Sequence, residues 1–569
     1  MASNAPLFDQ SIDELATKVE EGSRASRLNI ERFIEPAQGT LRRATSRRHH
    51  LVFGRRGSGK SSLLYKAGDE LEHAGHPIAM VDLEPFKGHH YPDVLISVLI
   101  ATFRKYESWL MQHIDDQPKA GWWAKLQFWK KRKTTPGTDI LSEVRTAITN
   151  LENQLFLADH ASLVVTNKNE NSKENSRTQT SGFGAKKGPV NASIEDEIAQ
   201  KVAEQSIAEI REETKRSKQD FLHRQILNYQ RVFKNLGELT EFASFLFLDD
   251  LYHLHRDDQA NVLDYFHRVA KNNNLWLKIG TIKNRSTWYV HSPQPIGLKI
   301  GDDADDINLD LTLEKFSSSR EFLTKIIDSY AKEVKAPDLR DFVADGGVDR
   351  LVIASGGVTR DFLGIFRRSI VEARERLTRD PKHSRGEKIG AEDVNVAAGN
   401  YGDTKKEEFQ RDTLEDRERL EKIFDRIRLF CLDRNNANIF LIDQDARDDE
   451  HDLIQELIDL RLVHHVKSRV TVGSKPGKIY RALLLDISQY TGERRRRGLE
   501  MVQFWKPDNR DVLRRPQFIF DPAVSTDEID EDIAKRKKDS VPGENDYNPD
   551  QIEISFNEED ANKTEQGNR

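Results

Sequence analysis

The chain has 569 residues, which is room for three or four domains of about 150 residues each. Hydrophobic residues make up 37% of it and charged residues 32%, and no apolar run approaches the ~18 residues of a membrane span, so we expect no transmembrane helix. The net charge of -7 argues against nonspecific coating of nucleic acid, and a single cysteine excludes an intrachain disulfide. The start of the chain has no basic segment followed by an apolar one, so we expect a cytoplasmic protein.

Residues 1–48 are predicted to form a helical lead-in, and a phosphate-loop motif follows it. His49 to Phe53 is typical of a short buried strand, and Ser61 to His73 carries apolar residues at helical spacing. The residues between them fit the pattern G-x-x-x-x-G-K-[ST] at every fixed position: Gly54, Arg55, Arg56, Gly57, Ser58, Gly59, Lys60 and Ser61. A strand, a glycine loop and a helix are the context that this motif requires.

The chemistry of this motif needs glycines, because the backbone must come close to a triphosphate and point its N–H groups inward. We expect Lys60 to place its ammonium against the β- and γ-phosphates. We expect the hydroxyl of Ser61 to complete the shell of a magnesium ion. The sequence therefore predicts a site for ATP and Mg²⁺.

The next elements are a strand, a helix and a long insertion. Ile78 to Leu83 is apolar enough for a second parallel strand, and a helix is predicted from Asp93 to about Leu110. The alternation of strands and helices then stops between about 111 and 240, which we interpret as an insertion. Within it, residues 167–191 are predicted to be disordered, and Ser193 to Asn235 is predicted to form a long charged helix.

A tryptophan cluster lies in the insertion beside four consecutive basic residues; its members are Trp122, Trp123 and Trp129. Aromatic and cationic residues together suit a membrane interface, a nucleic-acid backbone with stacked bases or an acidic groove of a partner. A helix whose tryptophans are buried explains the pattern equally well.

Three further strands are predicted after the insertion. Ala243 to Leu248 is an apolar run that ends in Asp249 and Asp250, which we expect to hold Mg²⁺ and to orient the attacking water, respectively. Leu275 to Thr281 is another buried strand, and Thr281 at its polar end is the candidate for sensing the γ-phosphate. Ile307 to Leu311 is predicted as the last strand, which makes a sheet of about five.

The C-terminal half is predicted to be mainly helical. Residues 313–400 are expected to form a helical lid, in which Gly356-Gly357-Val358-Thr359-Arg360 opens a helix. Residues 405–520 contain helices followed by two strands around a glycine-proline turn at 473–477, which is typical of a winged helix. The acidic tail at 524–569 is predicted to be disordered.

Taken together, these motifs resemble those of AAA+ and STAND P-loop ATPases, and their order is most similar to the initiator and origin-recognition clade. The resemblance covers about residues 30–380 without the insertion, and more weakly about 405–500. It implies an α/β P-loop NTPase core of residues 49–312 with a parallel sheet and a large helical insertion, then a helical lid and a winged helix.

The resemblance also implies roles for single residues. Asp249 matches the Walker B magnesium acid, Thr281 the sensor 1 residue and Arg360 the sensor 2 arginine that reaches the γ-phosphate from the lid. Arg285, just beyond the sensor strand, is a candidate arginine finger. Two positions depart from the AAA+ and STAND patterns: Asp250 stands where AAA+ proteins have Glu, which implies slow turnover, and Thr359 stands where STAND lids usually have proline.

The leading functional hypothesis is an ATPase that hydrolyses ATP slowly and works as a nucleotide-controlled switch engaging DNA or a protein, with ATP-dependent assembly of identical chains as a further expectation. One alternative is an ATP-binding scaffold with little turnover in a bacterial defence-type system. Another is a peripheral membrane ATPase that uses the tryptophan cluster. A kinase is less well supported, because nothing marks a second substrate pocket.

Charge and fold analogy disagree about a DNA contact. The helix expected to recognise DNA is acidic, with Asp448, Asp449, Glu450, Asp452, Glu456 and Asp459, and phosphates would repel it. The basic residues lie on the wing and after the domain: Lys467, Arg469, Lys475, Lys478, Arg494, Arg495, Arg496 and Arg497. The sequence therefore predicts either a sequence-independent DNA contact through these residues, or a protein-docking acidic helix with the arginines paired to the acidic tail.

Overall fold

The computed structural model describes residues 6–22, 27–115, 136–156, 189–379, 385–412, 417–446, 449–496 and 498–539. The chain divides into two compact units, which we call the sheet unit (Arg24–Asp310) and the helical unit (Met1–Ser23 with Leu311–Arg569). The predicted lead-in of residues 1–48 is therefore divided between the two units. The tryptophan cluster and Arg497 lie outside the described residues.

The elements follow one another in this order. The strands are β1 His49–Phe53, β2 Ile78–Asp82, β3 Ser244–Asp249, β4 Leu275–Thr281, β5 Tyr289–Val290, β6 Ile296–Gly297, β7 Ala304–Asn308, β8 Ile439–Asp443, β9 Val463–Val470 and β10 Tyr480–Leu485. The α-helices are α1 Gln10–Glu21, α2 Thr40–Ala44, α3 Lys60–His73, α4 Asp93–Asp115, α5 Pro136–Leu155, α6 Pro189–Thr240, α7 Arg256–Ala270, α8 Phe316–Glu333, α9 Leu339–Phe342, α10 Asp345–Ser355, α11 Thr359–Arg379, α12 Ala391–Asp412, α13 Arg417–Arg428, α14 Asp449–Asp459 and α15 Thr526–Asp539. No described helix is both long and apolar enough to cross a membrane.

The sheet unit is built on five parallel strands in the order β2-β3-β4-β1-β7. Strands β1 and β3 are buried along their whole length, because their apolar runs suit a sheet covered on both faces. Since all five strands run in the same direction, their carboxyl ends meet at one edge, where ligands bind in open α/β sheets. The predicted α/β fold with a five-stranded sheet is confirmed.

The last strand begins earlier than predicted. We expected it at Ile307 to Leu311, but β7 spans Ala304–Asn308 and includes the acidic residues Asp305 and Asp306. These carboxylates are tolerated because β7 is an edge strand, where only Ala304 and Ile307 are buried. Beyond β7 the N–H of Leu309 still donates to the carbonyl oxygen of Phe53, and Asp310 then accepts hydrogen bonds from Arg55 of the phosphate loop.

The insertion consists of helices in its described parts. Helix α5, which the sequence analysis did not predict, packs along α4 with an ion pair of 2.7 Å between Arg145 and Glu107. Helix α6 is longer than predicted, and its C-terminal half buries a stripe that includes Leu222, Tyr229 and Leu236. Residues 189–191, predicted to be disordered, belong to α6, whereas 167–188 lie outside the described residues.

The helical unit has a core of its own. Helix α1 buries Ile12, Leu15 and Val19 in the same cluster as Leu323 and Ile327 of α8. Helices α10, α11 and α12 pack against one another. The boundary that we expected between lid and winged helix, at about residues 400–405, falls inside α12 and does not separate two bodies.

The predicted C-terminal hairpin is present. Strands β8, β10 and β9 form an antiparallel sheet in that order, and an exposed turn at 473–477 joins β9 to β10. In the described residues between β8 and β9 there is a single helix, α14. The arrangement of helix and hairpin fits the predicted wing, while the assignment as a winged helix stays a prediction.

The tail is partly folded, contrary to the prediction of disorder from residue 524. Helix α15 spans Thr526–Asp539, buries Ile529 and Ile533, and forms an ion pair between Asp532 and Arg434. Its two isoleucines are four residues apart, which places them on one helical face among many charged residues. Such a short stripe is easily missed in an acidic sequence.

Candidate functional site

The glycine loop connects the buried strand β1 to helix α3. Gly57 and Gly59 have φ angles of 83° and 98°, a left-handed region that favours glycine. A Cβ atom on Gly54 would lie 2.2 Å from Oγ of Ser58, so a side chain at this position would displace the Ser58 hydroxyl. Helix α3 begins at Lys60, directly after the loop, and its N-terminus provides backbone N–H groups of the kind that bind anions.

Lys60 is enclosed by the loop and by the acidic end of β3. Its side chain is nearly buried, and its Nζ donates to the carbonyl oxygen of Arg55 at 3.4 Å. The same Nζ lies 3.9 Å from Oδ1 of Asp250. The structure thus brings together two of the predicted site residues from opposite ends of the sheet unit's sequence.

Asp249 lies at the end of β3 and is 8% exposed. Burial, helped by the neighbouring charge of Asp250, raises the pKa of Asp249 to about 7, although the Ser61 hydroxyl and the Lys60 ammonium oppose the shift. The Ser61 hydroxyl forms a hydrogen bond with this carboxylate. The negative charge of this buried acid is only partly compensated by Lys60, and a hydroxyl lies beside it. The pair of Ser61 and Asp249 therefore fits a divalent cation.

Asp250 adopts a left-handed conformation with φ 58° and ψ 46°, which is uncommon for a residue other than glycine. Its backbone N–H donates to Oδ1 of Asp249 at 3.0 Å. This turn ends the strand and directs the two carboxylates differently: Asp249 is buried, whereas the Asp250 side chain is 24% exposed. The different surroundings fit the two separate roles that the sequence analysis predicted.

Thr281 ends β4 beside the glycine loop. It is paired with Phe53 of β1, and its carbonyl oxygen accepts a hydrogen bond of 3.2 Å from the N–H of Gly54. Its side chain is buried and its hydroxyl is hydrogen-bonded to the hydroxyl of Ser286. The strand order therefore places Thr281 where sensor 1 was expected, and its role as a sensor stays a prediction.

The two arginines of the loop differ. Arg55 is buried, and both its backbone N–H and its Nε donate to Oδ1 of Asp310, at 2.8 and 3.3 Å. The side chain predicted to bind the cofactor is thus occupied in anchoring the loop to the chain that follows β7. Asp310 was missed, because no sequence pattern links it to a loop so far away. Arg56 is half-buried.

Sequence reasoning also missed Gly280 and Gln259. A Cβ atom on Gly280 would lie 2.5 Å from Oδ1 of Asp249, so the absence of a side chain makes room for that carboxylate. Gln259, 1% exposed, joins the loops after β3 and β4 through its side-chain amide. The sequence offered a signal for Gly280, which directly precedes the predicted sensor Thr281. It offered none for Gln259.

Arg360 lies in the helical unit, in the first turn of α11. The preceding Gly356 and Gly357 have φ angles of 56° and 83°, and a Cβ atom on Gly357 would lie 2.5 Å from the carbonyl oxygen of Leu311. The predicted glycine turn is therefore required by local geometry. The role of Arg360 as sensor 2 stays a prediction.

The basic residues proposed for a DNA contact are divided by the structure. Arg494, Arg495 and Arg496 form ion pairs with the following acids of the helical unit: Asp403, Glu392 and Asp433. On the wing, Lys478 pairs with Asp443 at 3.0 Å, while Arg469 and Lys475 are exposed and Lys467 is half-exposed. The arginines therefore pair with acids of the folded part of the chain.

The acidic helix α14 is also partly neutralised. Asp449 and Glu450 pair with Arg419 and Arg426 of α13, at 3.2 and 2.7 Å. Asp459 is buried, Asp452 is exposed and Glu456 is half-exposed, while Asp448 lies outside the described residues. The described part of helix α14 therefore exposes less unpaired negative charge than its sequence indicates.

Comparison with known proteins gives structural neighbours of low identity. No family model matches the sequence, and no curated protein matches it. A Walker-type ATPase of Pyrococcus abyssi aligns with 85% of this chain and 95% of its own at 12% identity and a TM-score of 0.36. Cdc6p of Pyrobaculum aerophilum aligns with 82% and 93% of the two chains (10%, 0.30), and the Orc1 protein of Aeropyrum pernix, solved in complex with DNA, with 80% and 91% (14%, 0.30).

The strand order and the glycine loop define the fold of the sheet unit. Five parallel strands have β1 between β4 and β7, and a glycine loop joins β1 to the N-terminus of α3. The acidic end of β3 and the threonine at the end of β4 meet that loop at the same edge. The chain therefore has the α/β fold of the P-loop NTPases, and in the order of its motifs it resembles the AAA+ ATPases of the initiator clade.

Proposed function

We propose that this protein is a Mg²⁺-dependent ATPase that hydrolyses ATP slowly and works as a nucleotide-controlled switch. One observation carries the proposal: four side chains meet where the glycine loop joins the N-terminus of α3. They are those of Lys60, Ser61, Asp249 and Asp250. These groups supply N–H donors, an ammonium and two carboxylates, which is what binding and hydrolysing a nucleoside triphosphate requires.

Each residue has a distinct part in the proposed mechanism. The loop N–H groups and Lys60 bind and neutralise the β- and γ-phosphates, while Ser61 and Asp249 hold Mg²⁺, which when bound offsets charge on the phosphate oxygens. Asp250 accepts a hydrogen bond from the attacking water and orients it towards the γ-phosphorus. Asp250 has a shorter side chain than glutamate, and its Oδ1 lies 3.9 Å from the ammonium of Lys60, so the carboxylate also interacts with that charge. We therefore expect slow turnover.

The direct test compares Lys60→Ala with Lys66→Ala. Lys66 lies on the same helix but pairs with Glu70 at 3.5 Å on the surface, so it serves as a matched control. Binding of a fluorescent ATP analogue and release of phosphate are measured, and circular dichroism reports folding. We expect Lys60→Ala to lose nucleotide binding or hydrolysis and Lys66→Ala to keep both. A folded Lys60→Ala protein with wild-type ATPase activity would contradict the proposal.

Asp250→Asn separates binding from catalysis. Asp249 remains to hold Mg²⁺, so ATP should still bind while turnover falls by about 10² to 10⁴, the range for a lost general base. Equal loss of ATP binding in Asp250→Asn and Lys60→Ala would show that the division of roles is wrong.

For the partner, we propose a sequence-independent DNA contact through the wing, by the side chains of Lys467, Arg469 and Lys475. Two of these are exposed and one is half-exposed, whereas the described arginines after the domain are paired with acids of the same unit. The alternative, an ATP-binding scaffold that assembles protein partners with little turnover, predicts ATP-dependent association without DNA. Light scattering after size exclusion, with and without ATP and duplex DNA, distinguishes them and also reports ATP-dependent self-association.

A further inference from the structure

A tyrosine that no motif includes lies close to two cations of the sheet unit. Tyr252 belongs to the 3₁₀ turn Leu251–His253, which directly follows the left-handed Asp250. The centre of its ring is 5.7 Å from Nζ of Lys60 and 5.8 Å from Cζ of Arg285. Both distances are within the range of cation–π attraction, which is about 6 Å.

The loop that carries Arg285 is fastened to the loop that carries Tyr252. Gln259 Nε2 donates to the carbonyl oxygen of Leu254 at 2.9 Å, and its Oε1 accepts from the N–H of Thr287 at 2.8 Å. Because Gln259 is almost wholly buried, these bonds are shielded from water and both ends of the amide are used.

A second arginine reinforces the same connection from outside. Arg256, at the start of α7, donates to the carbonyl oxygen of Asn284 at 3.3 Å and to the hydroxyl of Thr287 at 3.4 Å. On the inner side, the hydroxyls of Thr281 and Ser286 are hydrogen-bonded. The segment from Ile282 to Thr287 is thus held on both sides, beside the acidic end of β3 of its own chain.

We propose that Tyr252 is a positioning residue that contacts both Lys60 and Arg285 and holds Arg285 at the phosphate-loop edge of the sheet, so that Arg285 acts on the γ-phosphate bound by its own chain. This inference rests on the proposed ATPase function and goes beyond the expectation of an arginine finger, because it names the residue that positions Arg285 and the chain on whose nucleotide Arg285 acts. In phosphoryl transfer the charge that develops on the γ-phosphate oxygens is stabilised by a guanidinium. Arg285 forms and breaks no covalent bond; it supplies positive charge that does not depend on assembly.

The first experiment mixes two inactive variants. Lys60→Ala cannot bind the phosphates, and Arg285→Ala lacks the guanidinium, so neither chain alone has a complete site. If Arg285 acts within its own chain, an equimolar mixture has no more ATPase activity than the sum of the separate variants. A mixture whose activity rises with protein concentration would overturn the proposal and show action on a neighbouring copy.

The second experiment tests Tyr252 through Arg285. Tyr252→Phe keeps the ring, so its kcat should stay within about twofold to threefold of wild type, whereas Tyr252→Leu should lower kcat at least about tenfold with little change in ATP affinity. In the Tyr252→Leu/Arg285→Ala double variant, we expect no loss beyond that of Arg285→Ala alone. Equal, multiplicative losses would show that Tyr252 does not act through Arg285.

Two controls separate the outcomes. Tyr289→Leu removes another partly exposed tyrosine of the sheet unit and should leave kcat unchanged. If the wild-type protein hydrolyses no ATP, the proposed function fails; if it hydrolyses ATP and Tyr252→Leu keeps the wild-type kcat, only the positioning role fails.

Discussion

Gly280 of β4 lies directly beside the carboxylate of Asp249 on the neighbouring strand β3. A Cβ atom at Gly280 would approach Oδ1 of Asp249 to 2.5 Å and Cδ1 of Leu64 to 3.0 Å. Since β3 and β4 are hydrogen-bonded strands, neither can move away without disturbing the sheet. The position of the proposed magnesium acid therefore depends on a residue without a side chain.

Gly280→Ala should displace the carboxylate of Asp249. We expect ATPase activity to fall at least about tenfold and the free energy of unfolding to fall by about 1–3 kcal/mol, as for other overpacked sites. Activity at several Mg²⁺ concentrations and urea unfolding measure the two effects. Gly237→Ala is the matched control, because a Cβ atom there makes its nearest contact at 3.7 Å. Unchanged Mg²⁺ dependence in Gly280→Ala would contradict the role given to Asp249.

Lys278 should make the stability of the sheet unit depend on pH. Its Nζ is buried in β4 and donates to the carbonyl oxygens of Ser46 and Arg48 at 2.7 and 2.8 Å, and it lies 3.0 Å from Nδ1 of His50. Burial lowers the pKa of Lys278 to about 7. Burial, with the nearby Lys278 charge, also lowers the pKa of His50 to about 3.

The sign follows from proton counting. Between about pH 7 and the ordinary lysine pKa of 10.5, the unfolded chain carries one more proton at Lys278 than the folded chain, so stability rises with pH in that window. The slope is at most about 1.4 kcal/mol per pH unit. We expect wild type to gain about 1–3 kcal/mol over Lys278→Met between pH 7 and 9 in urea unfolding, with the exposed Lys271→Met as control. A constant difference would mean that Lys278 stays charged when folded.

A buried group of charges in the helical unit should be essential for its stability. Asp361 of α11 pairs with Arg461 at 2.5 Å and with Lys405 at 3.4 Å, and Lys405 also pairs with Asp486 at 2.6 Å. Burial alone would raise the pKa of Asp361, but the guanidinium of Arg461 and the ammonium of Lys405 hold it below its usual value. All four side chains are almost fully buried.

Arg461→Leu should therefore lower the free energy of unfolding by about 3–5 kcal/mol, because it leaves the charge of Asp361 buried without its main partner. The exposed pair of Lys325 with Glu321, at 2.6 Å, is the comparison; we expect Lys325→Leu to cost at most about 1 kcal/mol. Thermal and urea unfolding measure both. Equal costs in the two variants would show that the buried pair contributes no more than a surface one.

The basic residues of the C-terminal region should fall into two groups, one that forms ion pairs within the chain and one that contacts DNA. Replacing Arg494, Arg495 and Arg496 by alanine removes exposed ion pairs and should cost about 0.2–1 kcal/mol of stability each, with no change in affinity for duplex DNA. Replacing Lys467, Arg469 and Lys475 should weaken binding and reduce the slope of log affinity against log salt by about 0.9 for each phosphate that is no longer neutralised. Fluorescence anisotropy at two salt concentrations measures this. Equal effects of the two triple variants on DNA affinity would show that ion pairing within the chain does not decide which basic residues contact DNA.

Local patterns in the sequence predicted most of the sheet unit. The apolar runs of β1 to β4, the glycine spacing around Lys60 and the carboxylates after β3 are all contained in stretches of a few residues, and such stretches carry their own periodicity and chemistry. The predicted bounds of β7 and the predicted disorder at α15 were wrong. In both segments the buried face is formed by only two apolar residues among many polar ones, so the sequence shows no clear periodicity. Helix α5 was missed for lack of a motif.

The sequence by itself determined which residues could bind a nucleotide: the glycines of the loop, a lysine and serine at a predicted helix start, and acids at the end of a predicted strand. The tertiary structure alone decided how those residues are supported. Arg55 turns to Asp310, Gly280 makes room for Asp249, and Gln259 joins two loops, each through a contact between residues far apart in the chain. Such contacts have no period and no fixed spacing, because they depend on the order in which strands lie side by side rather than on their order in the sequence.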